Sequence, residues 1–147
     1  GGGGVVSESV VISLPGVPRG KGRPRFSVRG GHARAFTDAQ TESYEGALRL
    51  AASQAMAGEP PLEGALALIM TAVFPVPASW SKKKRASALL GDLRPTGKPD
   101  CDNMLKTVDA LNQIVWRDDA QIVSALVMKE YGEQPGVTIT VNAVGAK

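Results

Sequence analysis

An α/β fold, a single domain with a mixed β-sheet packed against helices, is what this sequence predicts. Three observations point there. Short apolar runs bounded by glycine and proline occur toward both ends of the chain. A long segment between them carries apolar residues at spacings of three and four. Strand-like and helix-like segments also alternate instead of grouping apart. A length of 147 residues with 43% hydrophobic content suits one compact domain. That domain is expected to span residues 5–147, with the four leading glycines read as an expression remnant or frayed end.

Each element has its own signal. "VVISLPG", residues 10–16, reads as a strand ended by Pro15 and Gly16. The Gly-, Arg- and Pro-rich stretch after it reads as a loop or splayed hairpin, with "RGG" at 29–31 as its tip. Thr37 and Gln40 form a capping-box pattern for the clearest helix, whose apolar face is expected to be Tyr44, Ala47, Leu48, Ala51 and Ala55. Gly58 and Pro60 stop that helix. Residues 62–77 read as a strand, and "SWSKKKRASALLG" as a short helix capped by Ser79 or Ser81 and closed by Gly91. "DNMLKTVDALNQ" reads as a helix with Leu105, Val108 and Leu111 as its buried stripe. The last two strands, "QIVSALVMKEYG" and "GVTITVNAV", are expected to be antiparallel neighbours joined through Gly132–Gly136.

Composition excludes several chemistries. With one cysteine, Cys101, and one histidine, His32, the chain has no internal disulfide, no Cys-based zinc cluster and no zinc site built on two histidines. No apolar run approaches the roughly 20 residues needed to cross a bilayer, and no signal peptide is visible, so a cytoplasmic protein with no membrane partner is expected. Net charge is only +3, yet twelve of the seventeen basic residues lie in two segments. Arg19–Arg34 holds Lys21, Arg23, Arg25 and Arg29; Ser79–Lys98 holds Lys82, Lys83, Lys84, Arg85 and Lys98. A polyanion such as DNA would explain them.

Half of the fourteen acids lie from Asp100 onward, where a polyanion alone would be repelled. Asp100 and Asp102, two apart in a segment read as extended, would point the same way, and carboxylates held side by side call for a shared proton or cation. Mg²⁺ suits such a pair, since it takes one or two protein carboxylates and keeps its waters. The alternative is that one of them caps the helix and the rest face solvent. Of the adjacent Asp118 and Asp119, a strand would turn only one toward the site, and a turn would leave both in water. Lys106, one helical turn beyond Asp102, would face a scissile phosphate or simply pair with Asp102; Asp109 would share that face and hold Lys106.

"KPDCDNMLKTVDALNQIVWRDDAQI", Lys98–Ile122, together with "ISLPGVPRGKGRPRF" and "AFT" before it, resembles the RusA family of crossover (Holliday) junction endodeoxyribonucleases of bacteria and prophages. Its most specific parts are Asp-x-Asp-Asn-x-x-Lys, which includes Asn103, and Asp-Asp-x-Gln, which includes Gln121. The resemblance implies Mg²⁺, with Mn²⁺ as substitute, bound by Asp100, Asp102 and Asp119, with Lys106 also required. It implies a homodimer acting on four-way junctions in DNA recombination and repair. The chain departs from the family pattern in two places. "KTVDAL" is one residue short, and Gln113 stands where many members have glycine. Two other functions fit the residues: a catalytically inactive DNA-binding protein of the same fold, and a less selective metal-dependent nuclease. A pure binding module would need the bases without the clustered acids.

Overall fold

The structure, a computed structural model, describes residues 9–22, 25–29, 32–36 and 39–145. Along the chain lie β1 (Ser9–Pro15), β2 (Arg25–Arg29), β3 (His32–Phe36), α1 (Ala39–Met56), β4 (Leu66–Phe74), α2 (Lys82–Leu89) and α3 (Cys101–Leu105). A 3₁₀ stretch (Lys106–Leu111), a 3₁₀ turn (Asp119–Gln121), β5 (Ile122–Tyr131) and β6 (Gly136–Ala143) follow. The sheet order is β1-β6-β4-β5, with β4 and β5 parallel and the other pairs antiparallel. The mixed α/β sheet is thus present, and β2–β3 forms its own antiparallel hairpin.

Register explains where the core lies. Ile12, Ile139, Met70 and Val127 form one cross-strand row, with Val141 and Leu68 in the next. Helix α1 packs on β1, and α3 packs on β5. Leu48, Ala52 and Met56 of α1 join Met104, Leu111, Val115 and Trp116 over that face. Trp116 is fully buried, and its indole Nε1 donates to Asn112 Oδ1 at 2.6 Å, which satisfies the only polar atom its side chain carries. Among the described residues, no helix is long and apolar enough to cross a membrane.

Several expectations change. The buried stripe of α1 is Thr41, Glu45, Leu48, Ala52 and Met56, whereas Ala47 and Ala55 are exposed. Apolarity alone favours the alanines over a glutamate that has an internal partner. Strand β4 starts at Leu66, and Leu62 makes only an isolated bridge to Trp116. The helix expected through residues 102–113 is α-helical only to Leu105 and tightens into 3₁₀ from Lys106. Strands β5 and β6 run in opposite directions but are not neighbours, because β4 lies between them. Their link crosses the end of β4: Gly132 N–H donates to Phe74 O at 3.0 Å, and a Cβ on Gly132 would stand 2.6 Å from Val73 Cγ1. A glycine is needed there to let the chain pass over its neighbour. Helix α2 starts where expected, with Ser81 Oγ accepting from Lys84 N–H, and Gly91 beyond it has φ +90°. The Thr37 cap and the Gly30–Gly31 tip lie outside the described residues.

Candidate active site

Two short elements bring the acids together. Asp100 is the extended residue that enters α3 (φ −70°, ψ 155°), and its side chain makes no capping hydrogen bond. Asp102 is already in the first helical turn, which corrects the expectation of two carboxylates on an extended run. Strand alternation therefore does not set their directions. Lys106 Nζ lies 3.3 Å from Asp102 Oδ2, the expected four-residue pair.

The second element is a capping box. Asp118 Oδ1 accepts from Ala120 N–H at 2.9 Å, while Gln121 Oε1 accepts from the N–H groups of Arg117 and Asp118. Gln121 Nε2 donates to the carbonyls of Leu62 and Gly64, tying the turn to the chain before β4. Asp118 and Asp119 thus lie on a 3₁₀ turn just before β5, and their roles divide because one caps. Asp119, left over by the cap, lines a pocket of about 340 Å³ with Asp102, Lys106 and the apolar side chains of Leu105, Val108, Ile122 and Val123. Burial raises the Asp119 pKa above its ordinary value, and the hydrogen bond and charge of Asp118 and the charge of Asp109 act in the same direction. Asp100 does not line this pocket.

Asp109 does not hold Lys106. Its carboxylate instead accepts from Lys21 Nζ at 3.0 and 3.1 Å, after the change to 3₁₀ geometry alters the helical phase. On its other side Lys21 Nζ meets Glu45 Oε2 of α1 at 2.9 Å, and this ion pair offsets the burial of that carboxylate. Burial works to lower the Lys21 pKa, but the contacts with Glu45 and Asp109 outweigh it, so the ammonium titrates above its ordinary 10.5. The loop is seated by Lys21 N–H donating to Asn103 O at 2.9 Å and by Gly20, where a Cβ would meet Asn103 Cβ and Pro99 Cβ at 2.9 Å. Sequence reasoning missed Glu45. Its place on the Thr41-Leu48-Ala52 stripe was the available signal.

The other basic residues are spread. Arg23 lies outside the described residues, and the backbones of Arg25 and Arg29 begin and end β2. Lys82, Lys83 and Lys84 are exposed in the first turn of α2; Lys84 Nζ sits 4.0 Å from the Trp80 ring centroid, and Arg85 donates to Pro77 O at 3.1 Å. Lys98 is exposed just before α3.

A family model described as "Endodeoxyribonuclease RusA" matches residues 15–142, which takes in the basic loop, the pocket and all of β4 and β5. The chain belongs to the RusA family. It is also 37% identical over 142 residues to the uncharacterized protein YqaN of Bacillus subtilis (strain 168), an alignment covering 95% of this chain and 99% of that protein. RusA membership supports a nuclease-type function. It also gives Gln113 a context: the residue has φ +71°, a conformation that glycine adopts without strain. Here Gln113 Nε2 donates to Arg117 O at 2.6 Å, tying the strained corner to the segment before Asp118.

RusA-family nucleases are generally metal-dependent. Among the described residues, no group of three or more His, Cys, Asp or Glu side chains converges closely enough to hold an ion. The pocket offers two carboxylates, Asp102 and Asp119. That donor set is hard, all oxygen, and matches the one or two protein carboxylates that a hydrated Mg²⁺ commonly takes.

Proposed function

We propose that this protein is a Mg²⁺-dependent endodeoxyribonuclease that acts as a homodimer on four-way DNA junctions in recombination and repair, in the bacterial cytoplasm. The observation that carries this reading is the pocket in which Asp102, Lys106 and Asp119 meet, in a chain of the RusA family. Asp102 and Asp119 would hold the ion, with Asp100 as a further ligand from the entrance to α3. When bound there, such an ion would polarise an oxygen of the substrate phosphate and acidify a water for attack. Lys106 gives up its pairing with Asp102 to face the phosphate, where its charge offsets the negative charge that grows as the bond breaks. The capping box of Asp118 and Gln121 keeps Asp119 aimed into the pocket, and Asn103 and Asp109 seat the loop beside it. Lys82, Lys83, Lys84, Arg85 and Lys98, with Arg23, Arg25 and Arg29 of the hairpin segment, would follow the phosphate backbone.

Cleavage of a synthetic four-way junction and of linear duplex of the same sequence, each with Mg²⁺, with Mn²⁺ and with EDTA, tests this reading. Paired cuts in the junction, absent from the duplex and abolished by EDTA, are expected. Equal cutting of both substrates would reduce the function to a less selective metal-dependent nuclease. Tight junction binding with no cutting under any metal would favour the DNA-binding protein.

A further inference from the structure

The bonds made by Gln113 converge on one peptide group beside the pocket. Among the described residues, two that are not glycine have positive φ, Ala57 at 51° and Gln113 at 71°. Ala57 directly follows the end of α1 and carries nothing beyond its Cβ. Gln113 carries an amide, and both its backbone and its side chain are engaged. Its backbone N–H donates to Trp116 O at 2.6 Å, and its Nε2 donates to Arg117 O at 2.6 Å. Strain of this kind persists where the surroundings over-determine it, and it collects at functional sites.

Trp116 is fully buried, its indole bonded to Asn112 and an isolated bridge joining it to Leu62, so it is a fixed post for the short loop 112–116. The chain leaves the core at Arg117, which is exposed. The peptide unit that follows consists of Arg117 C=O and Asp118 N–H, and such a unit is planar. Gln113 Nε2 holds its carbonyl, while Gln121 Oε1 accepts from its N–H at 3.1 Å. Gln121 is itself anchored on the carbonyls of Leu62 and Gly64. Two glutamine amides thus grip one plane from opposite ends, directly before the residue whose carboxylate caps the turn.

We infer that Gln113 is a positioning residue for Asp119: its side chain fixes the Arg117–Asp118 peptide, and with it the direction in which the 3₁₀ turn carries Asp119 into the pocket. The inference rests on the nuclease reading of that pocket and adds a residue that does not line it. Gln113 is exposed, so its amide exchanges readily for water and the bond adds little to stability. Its effect is on direction. Without it the plane would rotate about the bonds on either side, and a misplacement of about 1 Å is enough to slow a reaction. Glycine would adopt the same φ without strain, so a corner that only turned the chain would be served best by glycine. Glycine, however, has no side chain to reach Arg117.

The variants Gln113→Gly and Gln113→Met test this. The first removes strain and link together; the second keeps an uncharged arm of similar length without the donor. In both, the amides of Asp118 and Ala120 are expected to exchange with solvent about fivefold faster or more, measured by NMR in EDTA. Single-turnover cleavage of a saturating four-way junction in Mg²⁺ should fall about tenfold. Junction binding in EDTA should be unchanged, and Gln113→Gly should melt no lower than wild type. Slower cleavage in a variant that is no less stable is the mark of positioning. Gln113→Gly equal to wild type in exchange and cleavage would overturn the inference, as would faster exchange with unchanged cleavage. A lower melting temperature with faster exchange throughout the core would assign Gln113 to stability alone and overturn it too. If the wild type cuts no substrate with any metal while exchange still responds, the nuclease reading falls and the hold of Gln113 on the turn stands.

Discussion

Lys21 stands between Glu45 and Asp109, at 2.9 and 3.0 Å, with its ammonium turned toward the protein. Composition alone places it among the DNA-contacting bases; its partners make it a strut beside the pocket. Replacing it with Met should lower single-turnover cleavage by about tenfold, in the range seen when outer supports of a site are removed. The salt dependence of junction binding should stay unchanged, whereas a lysine that neutralised a phosphate would, once removed, flatten the slope by about 0.9. Asp119 gives a second prediction. Its pKa is raised, so the folded state holds its proton more tightly than the unfolded chain does. That contribution is fully present below the ordinary 3.8 and is lost as pH rises through the folded value, leaving ionised Asp119 working against the fold at neutral pH. Asp119→Asn, melted in EDTA at pH 7, should therefore gain on the order of a degree while losing cleavage. A lower melting temperature would mean that the carboxylate is structural. The pocket pair was legible because Asp102 and Lys106 obey helical spacing. The place of Glu45 on the buried stripe of α1 was legible, but its partner Lys21 was not, because an ion pair between residues far apart in the chain leaves no local pattern.

Helix α2 begins with three lysines in its first turn and no acid. Cations at that end oppose the helix dipole, each at a cost of about 0.3–1 kcal/mol, so they do not serve the helix. Lys82→Ala with Lys83→Ala should leave the melting temperature unchanged or raised and weaken DNA binding, with a salt slope smaller by about 0.9 for each phosphate no longer neutralised. A lower melting temperature with an unchanged slope would make them ordinary surface residues. At the end of α1, Ala57 sits at φ 51°, a left-handed conformation that costs a residue with a Cβ about 1 kcal/mol. Ala57→Gly should recover about that amount in urea unfolding, less what the freer unfolded chain gains. Gly58 and Pro60 made the stop of α1 readable, and Ser81 and Gly91 the two ends of α2. The switch from α to 3₁₀ geometry at Lys106 was not readable, since both helices accept the same residues and the choice follows from packing Thr107, Val108, Ala110 and Leu111 in the core.

At the scale of the molecule, the α/β class was legible from the alternation of elements, and family likeness from the two aspartate motifs. Strand order was not, because a four-residue link between β5 and β6 looks the same in sequence whether it closes a hairpin or steps over β4. The pairing of β4 with both strands and the Gly132 N–H that donates to Phe74 O tell them apart. Asp102 and Lys106 come from α3 and the 3₁₀ stretch after it and Asp119 from the turn before β5, so the pocket gathers its polar groups where these elements meet the start of β5. Those few side chains make the pocket's role measurable by itself. The measurement is single-turnover cleavage of a saturating four-way junction in Mg²⁺ by wild type, Asp102→Asn and Asp119→Asn, with the dissociation constant of each for the same junction in EDTA. Cleavage reduced by at least about 10²–10³-fold in both variants, at unchanged or tighter binding, is predicted. Either variant cutting at the wild-type rate would contradict the assignment of the pocket as the nuclease centre.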